Sequence, residues 1–229
     1  MTRLTHLDVP DHLHRNAPSV AAAGFEQTGQ LLLNLVQNRC GLETLANTQI
    51  LDVGCGVRFT MTIINRRIPI QSYAGLEVEK PIVDFLRDNV AALDDRFKFI
   101  YWNAHNEKFN PGGVSLSSFA TLPDAGAFDL IFAFSVFTHL APHDSLAMLR
   151  LLRRHIRPKG KLFFSAFIDD DLDGFEDRVK GSPLENAYYG RLFMESLIQD
   201  TGWSIDGFFD RDPASAIMHS FLCSPSGDT

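Results

Sequence analysis

Residues 50–60 read ILDVGCGVRFT. Ile50, Leu51 and Val53 make a short apolar run of the kind that forms a buried strand, and Gly54-Cys55-Gly56 follows as a sharp turn. An apolar run ending in spaced glycines is how nucleotide-binding loops begin. Such a loop would carry a third glycine at about position 58, and Arg58 stands there instead. What the stretch does depends on what surrounds it.

Downstream the pattern alternates. Apolar β-type runs at 50–53, 72–76, 97–102, 128–132, 161–167, 204–208 and 217–222 are separated at first by helical segments at 60–67, 81–92, 142–156 and 187–201. Strands alternating with helices predict βαβ units and a mostly parallel sheet. The last two strands have no helix between them, which predicts an antiparallel pair at one edge. Upstream, 19–38 reads as a helix capped by Ser19, with Leu31, Leu32, Leu35 and Val36 at helical spacing. Pro81 suits a first helical turn, and Pro158-Lys159-Gly160 reads as a turn into a strand. Two connections, 103–126 with its NPGG and the acidic 166–186, are long enough to be functional.

In an open parallel sheet, ligands bind beyond the carboxyl ends of the strands. The second strand ends in Glu77, whose carboxylate can accept from both hydroxyls of a ribose. The third ends in FIYWNAHN, where the Asn103 amide can serve an adenine edge and Trp102 can cover the base or fill the core. A dehydrogenase fingerprint would need a glycine three residues after Gly56, and that position is Phe59.

Taken together, residues from about 45 to 223 resemble the class I S-adenosylmethionine-dependent methyltransferases of small-molecule type. LDVGCG is similar to the first motif of that superfamily, GLEVE to its acidic second motif, FDLIFAFSVFTHL to its fourth-strand motif, and LLRRHIRPKGKLFFS to the segment leading into its fifth strand. The resemblance implies an α/β, Rossmann-like three-layer sandwich. Its sheet would be seven-stranded and mostly parallel, in order 3-2-1-4-5-7-6 with strand 7 antiparallel. It also implies S-adenosyl-L-methionine as cofactor, held by Asp52, Gly54, Cys55, Gly56, Arg58, Glu77, Val78, Trp102, Asn103, Ala104 and Ser135. The family more often has aspartate at the position of Asn103. Residues 1–45 are expected to form an N-terminal arm and helix covering the site, and 46–229 the methyltransferase domain.

Methyl transfer needs a positioned nucleophile and, for a hydroxyl, a base near neutral pH. His139, after the fourth strand, is the expected catalytic base, with Ser135 and Thr138 as polar contacts and His105 as second choice. His143 and His155 read as helix-surface residues. Arg58, at a helix start where a cation is disfavoured, is expected to pair with the cofactor carboxylate. Phe134, Phe137, Tyr188 and Tyr189 can line an aromatic acceptor pocket or pack in the core. Asp169, Asp171, Asp173 and Gly174 fit the first positions of a calcium loop, but Lys180 holds the place of its last ligand, so no metal site is expected. The expected function is methyl transfer to a small molecule, with oxygen as the favoured nucleophile. The alternative is a catalytically degenerate regulatory or scaffold protein that binds the cofactor.

Composition narrows the partners. With 28 acidic and 21 basic residues the net charge is −7, which disfavours a nucleic-acid backbone. Three widely spaced cysteines give no disulfide framework and fit a reducing cytoplasm. No signal-peptide core opens the chain, and no run approaches the roughly 18 apolar residues of a membrane span. Monomer and homodimer are both open.

Overall fold

The computed structural model describes residues 3–14, 24–123, 126–211 and 218–227. A central sheet runs in the order β3 (Phe97–Tyr101), β2 (Ser72–Glu77), β1 (Gln49–Val53), β4 (Phe128–Ala133), β5 (Ile156–Asp169), then β9 (His219–Pro225) and β8 (Trp203–Phe209). β1 to β5 are parallel, and β9 is antiparallel to both β5 and β8. This is the expected seven-strand order. Two further short strands extend it. β7 (Ala187–Gly190) pairs parallel with the end of β5, and β6 (Phe175–Asp177) pairs antiparallel with β7.

Helices cover both faces, so alternate residues of each inner strand are buried on opposite sides. In β4, Ile131 and Ala133 join the core beneath α4 (Pro142–Arg153) and α5 (Arg191–Gln199), while Leu130 and Phe132 join the core beneath α1 (Phe25–Arg39), α2 (Arg58–Asn65) and α3 (Lys80–Leu86). Pro81 and Pro142 sit in the first turns of α3 and α4, where a missing N–H costs nothing. Among the described residues, no helix is long and apolar enough to cross a membrane.

Several local expectations change. The first helix begins at Phe25, and the Ser19 cap lies outside the described residues. Residues 187–190, expected as helix, form β7, because β5 outruns β9 and offers its free edge there. Pro158-Lys159-Gly160 is an irregularity within β5, where the register jumps from Phe128↔Ile156 to Leu130↔Lys161. Proline cannot donate to the ladder, so pairing is skipped over it. His155 is buried just beyond α4 and is not a surface residue. Its Nε2 meets the Thr121 hydroxyl at 2.7 Å and its Nδ1 the Gly126 carbonyl at 2.9 Å, pinning the loop before β4.

The N-terminal arm is anchored by the same logic. Leu7 and Leu13 are buried in the core with α1 and α2, and Asn65 at the end of α2 exchanges hydrogen bonds with the Leu7 backbone at 2.8 and 3.2 Å.

Candidate active site

The ends of β1, β2 and β3 are tied to one another by backbone groups. Gly54 and Cys55 both donate to the Leu76 carbonyl, at 2.8 and 3.2 Å. Gly54 and Gly56 adopt φ of +67° and +48°, the region that glycine occupies without penalty. A Cβ on Gly54 would lie 2.9 Å from Val136, whereas one on Gly56 would meet nothing within 4 Å. The backbone at Gly56 is thus bare on the side a Cβ would cover.

Glu77 organises this corner. Its side chain is buried, with Oε2 accepting from Gly56 N at 3.0 Å and Oε1 accepting from Val78 N at 2.8 Å and Glu79 N at 3.1 Å. The carboxylate therefore holds the glycine loop onto the end of β2. Three N–H groups thus converge on one buried carboxylate.

Asp52 has turned the other way. It is buried and accepts a hydrogen bond from the Tyr73 hydroxyl. Burial raises its pKa well above the carboxylate range, the Tyr73 bond offsets part of that, and the charge of Glu77 adds to it. The folded protein therefore binds this proton more tightly than the unfolded chain. Stability from the group is full below the unfolded pKa of about 4 and is lost as pH rises towards the folded value. Asp52→Asn keeps the acceptor for Tyr73 and carries no charge. It is expected to melt higher than the parent near neutral pH, with the gain shrinking towards about pH 4; scanning calorimetry at several pH values checks this.

Arg58 opens α2, and its guanidinium lies 4.7 Å from the centre of the Phe25 ring at the start of α1. Burial lowers its pKa. The cation thus sits partly desolvated at the start of α2, against the first residue of α1. Cys55 is buried beneath Gly75, where a Cβ would come within 2.7 Å of its sulfur.

At the end of β3, Trp102 is buried in the core with its ring edge-on to Phe119 at 5.3 Å. Its indole nitrogen is buried and has no hydrogen-bond partner among the described residues. Asn103, by contrast, is exposed. Its Oδ1 accepts from Asn110 Nδ2 at 3.0 Å and from the Tyr101 hydroxyl at 3.3 Å. Asn106 braces the same loop: its Oδ1 takes the N–H groups of Lys108 and Phe109, each at 3.0 Å, and its Nδ2 donates to the His139 carbonyl at 3.0 Å. The β3 loop and the segment after β4 are thereby joined.

After β4 the chain enters Ser135 at φ +57°, a strained value for serine. Its N–H is held by Ser165 Oγ at 2.8 Å, and its hydroxyl pairs with that of the buried Thr138 at 3.0 Å. This kink delivers His139 to the same sheet end as Glu77 and Asn103. His139 Nδ1 lies 2.9 Å from the Leu184 carbonyl, and Phe109 packs edge-on against its ring at 5.2 Å. Leu184 is also strained, at φ +52°, and its N–H is taken by Asp177 Oδ2 at 2.8 Å. A Lys108–Glu185 ion pair closes the β6–β7 segment onto the β3 loop and lowers the Glu185 pKa.

The aromatic residues do not converge on a pocket. Phe137 and Tyr189 are fully buried in the core under α4 and α5, and Tyr189 bonds Leu140 and Ser145. Phe134 packs on the opposite face, against Phe59 and Phe163. Tyr188 stacks on Phe167 at 4.9 Å, with Arg178 above it at 4.0 Å. Arg178 also pairs with Asp169 and Glu176, so two acids of this segment are partnered from within it. Among the described residues, no group of three His, Cys, Asp or Glu side chains is placed to hold a metal ion. His143 is exposed beside Asp144 on α4, and His105 lies on the β3 loop with its N–H on the Val114 carbonyl at 2.7 Å.

Residues 51–162 match the family described as "Methyltransferase domain". With the relatives below, this match supports a class I S-adenosylmethionine-dependent methyltransferase. This methyltransferase is 24% identical over 216 residues to the malonyl-[acyl-carrier protein] O-methyltransferase of Acetivibrio thermocellus, with 81% of this chain and 75% of that protein covered. Its fold is similar to that of the glycopeptide N-methyltransferase MtfA complexed with S-adenosyl-L-homocysteine, with a TM-score of 0.60, 14% identity, and 90% and 95% of the two chains covered. The CcbJ methyltransferase from Streptomyces caelestis is similar at a TM-score of 0.56 and 12% identity, over 89% and 90% of the chains.

Asn106, Asn110, Lys108 and Leu184 escape a motif-based reading of this methyltransferase. The signal for the first two was present in NAHNEKFNPGG. Asparagines before Pro-Gly-Gly commonly bond the backbone a few residues on, as Asn106 does here. Leu184 has no such signal, because its part is played by a backbone carbonyl.

Proposed function

We propose that this enzyme methylates an oxygen of a small-molecule acceptor, with S-adenosylmethionine as donor and His139 as general base. The observation that carries the reading is the contact between His139 Nδ1 and the Leu184 carbonyl. A carbonyl only accepts, so Nδ1 keeps the proton and Nε2 is the basic nitrogen. A neutral imidazole oriented in this way can take the proton that a hydroxyl releases as it is methylated. The name of the curated relative, an O-methyltransferase, supports oxygen as the nucleophile.

The residues fit the cofactor. S-adenosylmethionine supplies the electrophilic sulfonium methyl. Gly56 offers bare backbone, Glu77 takes the ribose hydroxyls, Asn103 meets the base, and Arg58 pairs with the carboxylate. Cys40, Cys55 and Cys223, none of them in a disulfide among the described residues, suit a cytoplasmic setting.

The test is to incubate the protein and S-adenosylmethionine with a panel of small hydroxyl, carboxyl and amine compounds, following S-adenosylhomocysteine release. Oxygen-methylated products are expected. Turnover with amines alone, or only with macromolecules, would overturn the reading.

A further inference from the structure

We propose that Lys108 is a positioning residue for His139: by holding the Glu185 carboxylate, it keeps that charge off the imidazole and leaves Nδ1 to the Leu184 carbonyl. This rests on the reading of His139 as general base, and it names what sets the pH range in which that base works.

Two acceptors stand next to each other in the chain here. Leu184 gives its carbonyl to His139 Nδ1 at 2.9 Å, and Glu185 follows with a carboxylate. The Glu185 pKa is lowered by Lys108 first and also by His139, so carboxylate and ring are near enough to act on each other. A charge-assisted hydrogen bond is roughly twice as strong as a neutral one, so a bare carboxylate would compete with the carbonyl for the imidazole N–H. The carboxylate is occupied instead. Lys108 Nζ pairs with Oε1, and the Ser182 hydroxyl donates to Oε2 at 3.4 Å. The peptide unit between Leu184 and Glu185 is held at both ends. Its N–H donates to the Ser182 carbonyl at 3.1 Å, and its C=O accepts from His139.

Lys108 is also tied to His139 through the β3 loop. Asn106 Oδ1 accepts the Lys108 N–H and Asn106 Nδ2 donates to the His139 carbonyl, both at 3.0 Å. Phe109 meets the imidazole edge-on at 5.2 Å, and Lys108 Nζ lies 5.2 Å from the centre of the same Phe109 ring. One asparagine therefore brings the backbones of the cation and the base together.

The Lys108 and Glu185 side chains are 31% and 36% exposed, and an ion pair that open adds little to stability. Its consequence is the field at the ring beside it. Paired, the two charges largely cancel there. With a neutral residue at position 108, Glu185 is left as an anion near the imidazole, and a nearby anion favours imidazolium. The other charged and titratable groups on the neighbouring segments are engaged elsewhere or open to solvent. His105, Glu107 and His143 act on Asp144, Asp177 holds the Leu184 N–H, Arg178 pairs with Asp169 and Glu176, and Lys180 is exposed.

NMR titration of the histidine rings in the ligand-free protein tests this without an acceptor, with His139→Asn identifying the His139 signal. Lys108→Met is expected to raise the His139 midpoint by at least about 0.5 pH unit, and Lys108→Arg to leave it within about 0.2 unit of the parent. Adding Glu185→Gln to Lys108→Met removes the stranded charge and should bring the midpoint back, which separates charge from any loosening of the loop. The kinetic counterpart is the acid limb of S-adenosylhomocysteine release with the hydroxyl acceptor found in the panel above. In Lys108→Met this limb should move up by the same amount, so that the loss of rate is several-fold near about pH 6 and shrinks as pH rises. A midpoint that Lys108→Met leaves in place, or that the double variant fails to restore, overturns the proposal and leaves the base reading intact. A midpoint that moves as expected while the acid limb stays put supports the hold of Lys108 on the ring and overturns the base reading.

Discussion

His139→Ala is expected to lower kcat by about 10²- to 10⁴-fold on a hydroxyl acceptor, the range typical of losing a general base. Cofactor affinity should barely move, because His139 stands after β4, apart from the loop that Glu77 holds. Alanine also deletes the tether to the Leu184 carbonyl. His139→Asn separates the two effects, since its amide can donate as Nδ1 does but offers no basic nitrogen. If the base is what matters, asparagine falls as far as alanine. Single-turnover rates for both variants, with S-adenosylhomocysteine affinity measured alongside, give the comparison. Activity of the asparagine variant within about fivefold of the parent would show that His139 positions Leu184 and takes no proton.

Glu77→Gln should weaken S-adenosylhomocysteine binding by about 100-fold and lower stability by about 1–3 kcal/mol. The carboxylate accepts from the N–H groups of Gly56, Val78 and Glu79. Glutamine has the same shape, but one of its branches is an NH₂ group. If Oε1 stays with Val78 and Glu79, that NH₂ faces the Gly56 N–H, donor against donor. A buried donor left unsatisfied accounts for the loss of stability, and losing the negative charge beside the ribose accounts for the loss of affinity. Denaturant titration and calorimetry read the two separately. Parent-like affinity in this variant would remove Glu77 from the cofactor site.

Much of this was legible before any coordinates. Apolar runs at period two, glycines after the first, and Pro at helix starts report local backbone preferences, which neighbouring residues settle among themselves. That is why a mostly parallel sheet with an antiparallel pair at one edge could be anticipated, while the strand order followed from the family resemblance. Errors arose where the outcome depended on distant partners. His155 looked like a surface residue of a helix, and became buried because the loop before β4 folds back onto it. Residues 187–190 looked helical, and became a strand because β5 extended past β9.

The same division holds at the site. Residue types and spacing were enough to predict a mostly parallel α/β sheet with a glycine loop, an acid and an amide at successive strand ends, because those are properties of position along the chain, and the methyltransferase reading came from the resemblance of four motifs. Which way each polar group faces was settled by packing. Asp52 turned to Tyr73, Trp102 entered the core, Asn103 was locked by Asn110, and Nδ1 of His139 was claimed by a carbonyl 45 residues away. A side chain chooses its hydrogen-bond partner in space, and most of the partners that set this site's polarity lie in segments that only folding brings together.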